Sequence, residues 1–426
     1  MAEMFYKVVM PKNLFSSKKI WWLAAIYALL TGIYAWWSYG LTTPNLVLST
    51  NSIYWQWQVW MWENIFNNRP LRSIIFGALM IMIFGIYVLL ARQINRLVID
   101  KKIRAKKFAL ILIIAALPLF FSYNALSADV FNYIFNAKMV LELQADPHLQ
   151  VAQDFPGEPL LRFMHNSHTP APYGRLFTLI TLPFYWLGAD KFVLQWLAMR
   201  MMNLGALMLS GILMWKMWRR EKYFSSSPVW ILLNPLILIE FISNSHNDWW
   251  MLLPALAAFY LIRSPKKTWW KILLSALFLL ASTQIKFATV VLLPFWLYCL
   301  IAGQSWWVKF VAKLSLKKFN DWVEKYFFDL MAIAMFVPLL TPRAQFFHPW
   351  YLSWSLAWWP LCRARWLKYT FLCLSLSAML RYLVYLWLGD YTVGLAVGEV
   401  VITFAGAAVF GLAIYLVKHL SSVKKA

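Results

Sequence analysis

The chain has 426 residues, 62% of them hydrophobic and only 13% charged, too little polar surface to cover a soluble core of this size. Net charge is +23, but the lysines and arginines stand in short loops between apolar runs. They read as orientation signals and contacts to anionic membrane lipids, which argues against nucleic acid as a partner.

Apolar runs of roughly 15–25 residues predict an all-α integral membrane protein. The expected architecture is a polytopic helical bundle of about 12–13 transmembrane segments, forming a single domain over 1–426, with a long outer loop bearing short interfacial helices. The 27 Trp and 20 Tyr suit helix ends at the lipid–water boundary. Cys299, Cys362 and Cys373 lie in or beside apolar segments, with neither metal nor disulfide spacing.

The basic N-terminus (Lys7, Lys12, Lys18, Lys19) is expected in the cytoplasm, and the first apolar run is long enough to stay as an anchor. Segment one, 20–39, exits; the Trp-rich stretch 40–72 lies outside; segment two, 73–92, returns. The loop 92–107 carries Arg92, Arg96, Lys101, Lys102, Arg104, Lys106 and Lys107, the strongest inside signal in the chain. Segment three, 108–122, exits.

The loop that follows, 124–172, is neither basic nor greasy and is read as the outer catalytic loop. Its first part has two stretches suited to short interfacial helices. Pro147, Pro156, Pro159, Pro170 and Pro172 then break any helix, and its aromatics are too many for disorder. A full crossing at 173–187 would turn every later basic loop outward, so this short run is read as re-entrant. Segment 191–218 ends inside at Arg219, Arg220 and Lys222. Spans then alternate at 228–243, 249–262, 269–283, 287–302, 327–341, 350–362, 369–389 and 393–417. The total is about twelve full crossings of the plasma membrane, with both termini cytoplasmic.

Under this topology Asp129, His165, His168, His246, Asp248, Lys286, Arg343 and His348 gather at the outer boundary. Singly they have bland readings: Asp129 as a helix cap, His246 and Asp248 as a solvated turn, Lys286 as a snorkelling lysine, Asp146 and Asp154 as solvated acids. Together they mix carboxylate, imidazole and cation, whereas the cytoplasmic loops are almost purely basic. That mix suits a substrate with an anionic head and a lipid tail. Lysine and arginine would hold phosphate, and a carboxylate would take a proton from an acceptor hydroxyl.

The same residues carry a family likeness. Ser127-Ala128-Asp129-Val130 with Asn132-Tyr133 and Asp146-Pro147 resembles the first outer loop of the polyprenyl-phosphate-dependent C-type glycosyltransferase superfamily. The chain is most similar to the bacterial mannosyltransferases that build α-1,6-mannan cores. Pro172-Tyr173-Gly174 with Leu176, Asn234-Pro235-Leu236 with Glu240, His246-Asn247-Asp248, Ile285-Lys286 before Leu293-Pro294, and Pro349-Trp350-Tyr351-Leu352 with Trp354 follow in the family's order. His148 stands where the family usually has an aromatic, and Arg175 where it usually has proline.

The resemblance implies a membrane glycosyltransferase that moves a sugar, expected to be mannose, from a polyprenyl-phosphate donor to a glycan, lipid or protein acceptor on the outer face. It implies Asp129 as the catalytic base. Lys286, His246 and Arg343 are candidates for the donor phosphate, and Asn132, Tyr133, Tyr173, Asp248, His348, Trp350 and Tyr351 for substrate contacts. No cofactor is certain; a divalent metal is possible, but no spacing demands one. The rival class is a transporter or flippase for a lipid-linked or anionic substrate, which would show internal repeats and mid-membrane polar residues; Arg200 and Asn203 are among the few of the latter.

Overall fold

A computed structural model of the chain describes residues 17–41, 51–101, 105–221, 226–341, 347–389 and 393–423. Every regular element among them is helical and no strand occurs. The protein is an all-α polytopic membrane protein.

Five helices are long and apolar enough to cross a bilayer. The first lies within α1 (Ser17–Leu41). The 31-residue α3 (Arg69–Ile99) follows the short α2 (Ser52–Met61) and starts where Asn68 accepts from the Leu71 N–H, next to Pro70. It runs well past 92, so Arg92 and Arg96 stand on helix and not in a loop as expected. The others are the 30-residue α7 (Phe192–Glu221), the joined helices α14 (Arg365–Leu380) and α15 (Tyr382–Leu388), and α16 (Val393–Val423). α1 packs on α3 and on α4 (Ala105–Phe120), and α14 packs on α16.

The remaining expected crossings are shorter or broken. The run 173–187 becomes the 12-residue α6 (Arg175–Trp186), with Pro183 inside it. α8 (Asp248–Ile262) has 15 residues and α9 (Trp269–Ile285) has 17; they pack against each other, and α8 also packs along α7. The run 287–302 is a 3-10 stretch followed by α10 (Leu293–Ile301). The basic stretch beyond it folds as α11 (Ser305–Lys313) and α12 (Lys317–Lys325), and then comes α13 (Phe327–Ala334).

The expected span 228–243 is not one helix. Asn234-Pro235 splits it into Val229–Leu232, Pro235–Leu238 and a π turn, Ile239–Ser243. Irregular backbone at this depth is tolerated only inside protein, and the segment is almost wholly buried. The Tyr27 hydroxyl donates to the Leu233 carbonyl at 2.8 Å and that of Tyr87 to the Trp230 carbonyl at 2.6 Å, satisfying groups that the break releases. The run 350–362 likewise folds as buried turns, Pro349–Leu352, Ser353–Leu356 and Trp359–Leu361, and not as a lipid-facing span.

Candidate active site

Five stretches of chain meet near the ends of these short elements. α5 (Asp129–Leu141) starts with Asp129, whose side chain keeps 19% of its surface exposed. Its Oδ2 accepts from the Tyr173 hydroxyl at 2.8 Å and lies 3.5 Å from His246 Nδ1. Tyr133, one turn along α5, donates to the Tyr173 oxygen at 3.4 Å. Tyr173 sits against α9 because the next residue is glycine. The Gly174 N–H donates to the Ile285 carbonyl at 2.9 Å, and a Cβ at Gly174 would fall 1.7 Å from the Gln284 oxygen. No larger residue fits that approach.

Lys286 follows directly on α9 in extended backbone. Its Nζ donates to Asp248 Oδ1 at 2.7 Å and lies 5.1 Å from the centre of the Tyr173 ring. The Trp354 indole N–H donates to the same oxygen at 2.6 Å. Asp248 is fully buried, while Lys286 keeps 13% of its side chain open. Asp248 therefore holds the lysine, and the ammonium retains two further donors.

His246 is closed off, with Nε2 3.3 Å from Glu240 Oε2 and its ring stacked on Trp350 at 3.7 Å. His348 also stacks on Trp350, at 4.4 Å, and lies edge-on to Tyr351. Glu240 in turn accepts from Tyr382 and Asn244.

Burial opposes the charge of Asp129, but the contact and charge of His246, the Tyr173 hydroxyl and the field of Lys286 outweigh it and hold the carboxyl at about 2. Burial also opposes the imidazolium of His246; Asp129 and Glu240 outweigh it and raise that group to about 9. At neutral pH the pair is carboxylate and imidazolium. His348 goes the other way: burial, then the Arg381 charge, holds it near 3 and keeps it neutral.

The loop carrying His246 is clamped from α7. Arg200, fully buried, donates to the carbonyls of Phe120 and Ser243 and to Asn124 Oδ1, at 2.6, 2.6 and 2.7 Å. Asn203, one turn on, donates to the Ser245 carbonyl at 2.6 Å, and Ser245 has φ +59°. The end of α4, which leads to Asp129, and the loop that leads to Asp248 are thus tied to one helix.

Of the residues picked out from sequence, Asp129, Tyr133, Tyr173, His246, Asp248, Lys286, His348, Trp350 and Tyr351 come together. Asn132 is buried on α5, and among the described residues its Oδ1 has no hydrogen-bond partner. Arg343 lies outside the described residues. His165 and His168 are exposed. Asp146 pairs with Arg175 at 2.8 Å. The sequence marks Glu240 and Trp354 as motif residues without a role, and Arg200 and Asn203 only as polar residues in an apolar run; a buried ionisable group in a membrane segment is the available signal for Glu240 and Arg200. Tyr382 gave none. Among the described residues, no group of three or more His, Cys, Asp or Glu side chains is arranged to hold a metal ion.

A family model described as Alpha-(1->6)-mannopyranosyltransferase, N-terminal domain, matches residues 30–302, a stretch that includes Asp129, Tyr173, Glu240, His246, Asp248 and Lys286. No curated protein and no solved structure matches the chain.

Proposed function

The chain belongs to the alpha-(1->6)-mannopyranosyltransferase family, and from that premise we propose that it transfers mannose from a polyprenyl-phosphate donor to a glycan acceptor on the outer face of the plasma membrane, with both termini cytoplasmic. The enzyme is a glycosyltransferase by family. The donor, the face and the residue roles are our reading. The observation that carries it is the meeting of one partly open carboxylate, Asp129, with two cations, His246 and Lys286, brought from separate parts of the chain.

In this mechanism the acceptor hydroxyl attacks the anomeric carbon as the bond to the phosphate oxygen breaks. Asp129 takes the hydroxyl proton. With its carboxyl near 2 it is always ionised but weakly basic, so the proton moves late, after carbon–oxygen bond formation has made the hydroxyl acidic. Tyr173 fixes the carboxylate. Lys286 holds the leaving phosphate, whose charge grows as the glycosidic bond breaks, while the His246 imidazolium, closed off between Asp129 and Glu240, contributes its positive charge through space. The step inverts the anomeric centre, so an α-linked product requires a β-linked donor. Trp350 and Tyr351, both partly exposed, border the place of the sugar.

The test is turnover of radiolabelled polyprenyl-phosphate mannose by membranes containing the chain. Label passing to a glycan supports the reading. Donor that crosses the bilayer intact, with no transfer, refutes it in favour of a transporter.

A further inference from the structure

α8 and α9 run antiparallel, so Asp248 and Lys286 stand at one end of the pair and Arg263 and Lys267 at the other. Fifteen residues of α8 put about 22 Å between these ends. At the far end lies a cavity of about 310 Å³, lined by Arg263, Lys267, Tyr298, Asn320 and Glu324 among others.

The charges there are unevenly matched. Arg263 is committed to Glu221 at 3.2 Å and to Glu324 at 2.7 Å. Lys267 has no carboxylate within ion-pair distance among the described residues. Its one tie is to the Cys299 carbonyl near the end of α10, which leaves the ammonium two donors. Asn320 Oδ1 accepts from both the Tyr298 hydroxyl and the Trp307 indole N–H, at 3.3 and 3.2 Å. Its oxygen is used up in joining α12 to α10 and α11, and its nitrogen stays available as a donor.

The surroundings indicate what meets these donors. The chain bends by 100° between α10 and α11. α11 and α12 then expose Trp306, Phe310, Phe319 and Trp322 beside Lys309 and Lys313. Aromatic and apolar groups mixed with lysine, on helices turned across a spanning segment, are built for the headgroup layer of an anionic leaflet. We propose that the cavity holds the headgroup of one anionic phospholipid. Lys267 and the Asn320 amide nitrogen take its phosphate, and its acyl chains run beside the exposed Leu297 and Leu293 of α10.

Delipidated protein refilled with phosphatidylglycerol or phosphatidylcholine, and read by native mass spectrometry, tests this. Wild type should retain one phosphatidylglycerol with about five- to tenfold preference. Lys267→Gln should bring the preference close to parity while mannosyl transfer in detergent stays unchanged. Should that variant misfold through loss of the Cys299 contact, Asn320→Leu serves in its place and should also lose preference. Equal retention by wild type and variant, or no headgroup preference in wild type, overturns the proposal. So does displacement of the lipid by inorganic phosphate at matched concentration, which would make this a soluble-anion site.

Discussion

Glu240→Gln offers a sharp test of the proposed electrostatics. The side chain keeps its shape and can still pair with Asn244 and Tyr382, but one of the two negative charges beside His246 is gone. Together those charges lift His246 from 6.5 to about 9 against burial, a preference for the imidazolium of about 3 kcal/mol. Removing one should lower the group by about one to two pH units. Because the folded value is raised, the imidazolium and the stability it brings are fully present below pH 6.5 and disappear as pH rises through about 9. Donor kcat/KM should therefore fall along an alkaline limb centred near 9 in wild type and near 7–8 in the variant. Near pH 7 the two enzymes should differ little, and at pH 8.5 by about eightfold. The assay is initial rate against pH with limiting polyprenyl-phosphate mannose. An unmoved limb would show that His246 does not act on the phosphate as a cation set by Glu240.

Asp129→Asn should lower transfer by about 10²–10⁴-fold while donor binding survives, as measured by turnover beside donor retention; near-normal turnover removes Asp129 from the mechanism. Lys286→Met should raise donor KM and lower kcat, with partial recovery in Lys286→Arg. It also leaves Asp248 buried without its cation, at a cost of about 3–5 kcal/mol, so a lowered unfolding midpoint with unchanged kinetics would reduce Lys286 to a structural role. Arg200→Met strands several buried oxygens and should cost about 2–4 kcal/mol; thermal unfolding in detergent checks it, and an unshifted midpoint would sink the clamp.

Much of this was legible beforehand, for a physical reason. Asp129, His246, Asp248 and Lys286 are polar residues at the margins of apolar runs, where they need partners, and the fold pairs Asp129 with His246 and Asp248 with Lys286. Hydropathy also located α1 and α7. It misjudged 228–243, because an apolar run reads the same whether lipid or protein surrounds it; the break at Asn234-Pro235 survives only because Tyr27 and Tyr87 supply donors from distant helices. Arg200 is matched mostly by backbone carbonyls, which leave no mark in a sequence. The two departures from the family pattern have separate side-chain partners: the His148 ring lies 3.0 Å from the Thr178 hydroxyl, and Arg175 pairs with Asp146 at 2.8 Å.

Arg200 stands eight residues into α7, about 12 Å from the start of that helix. The loop it holds, and with it His246 and Asp248, is sunk roughly two turns below the helix end. Dissolved ions screen charges over about 8 Å of water at physiological strength, but far less across packed protein. Lys267 and Lys309, at the other end of the molecule, are exposed. On the proposed reading, ionic strength should therefore act on the two ends unequally: rising salt should erode attraction for lipid headgroups at the exposed lysines, while the grip on a donor phosphate seated at Lys286 should stay nearly constant.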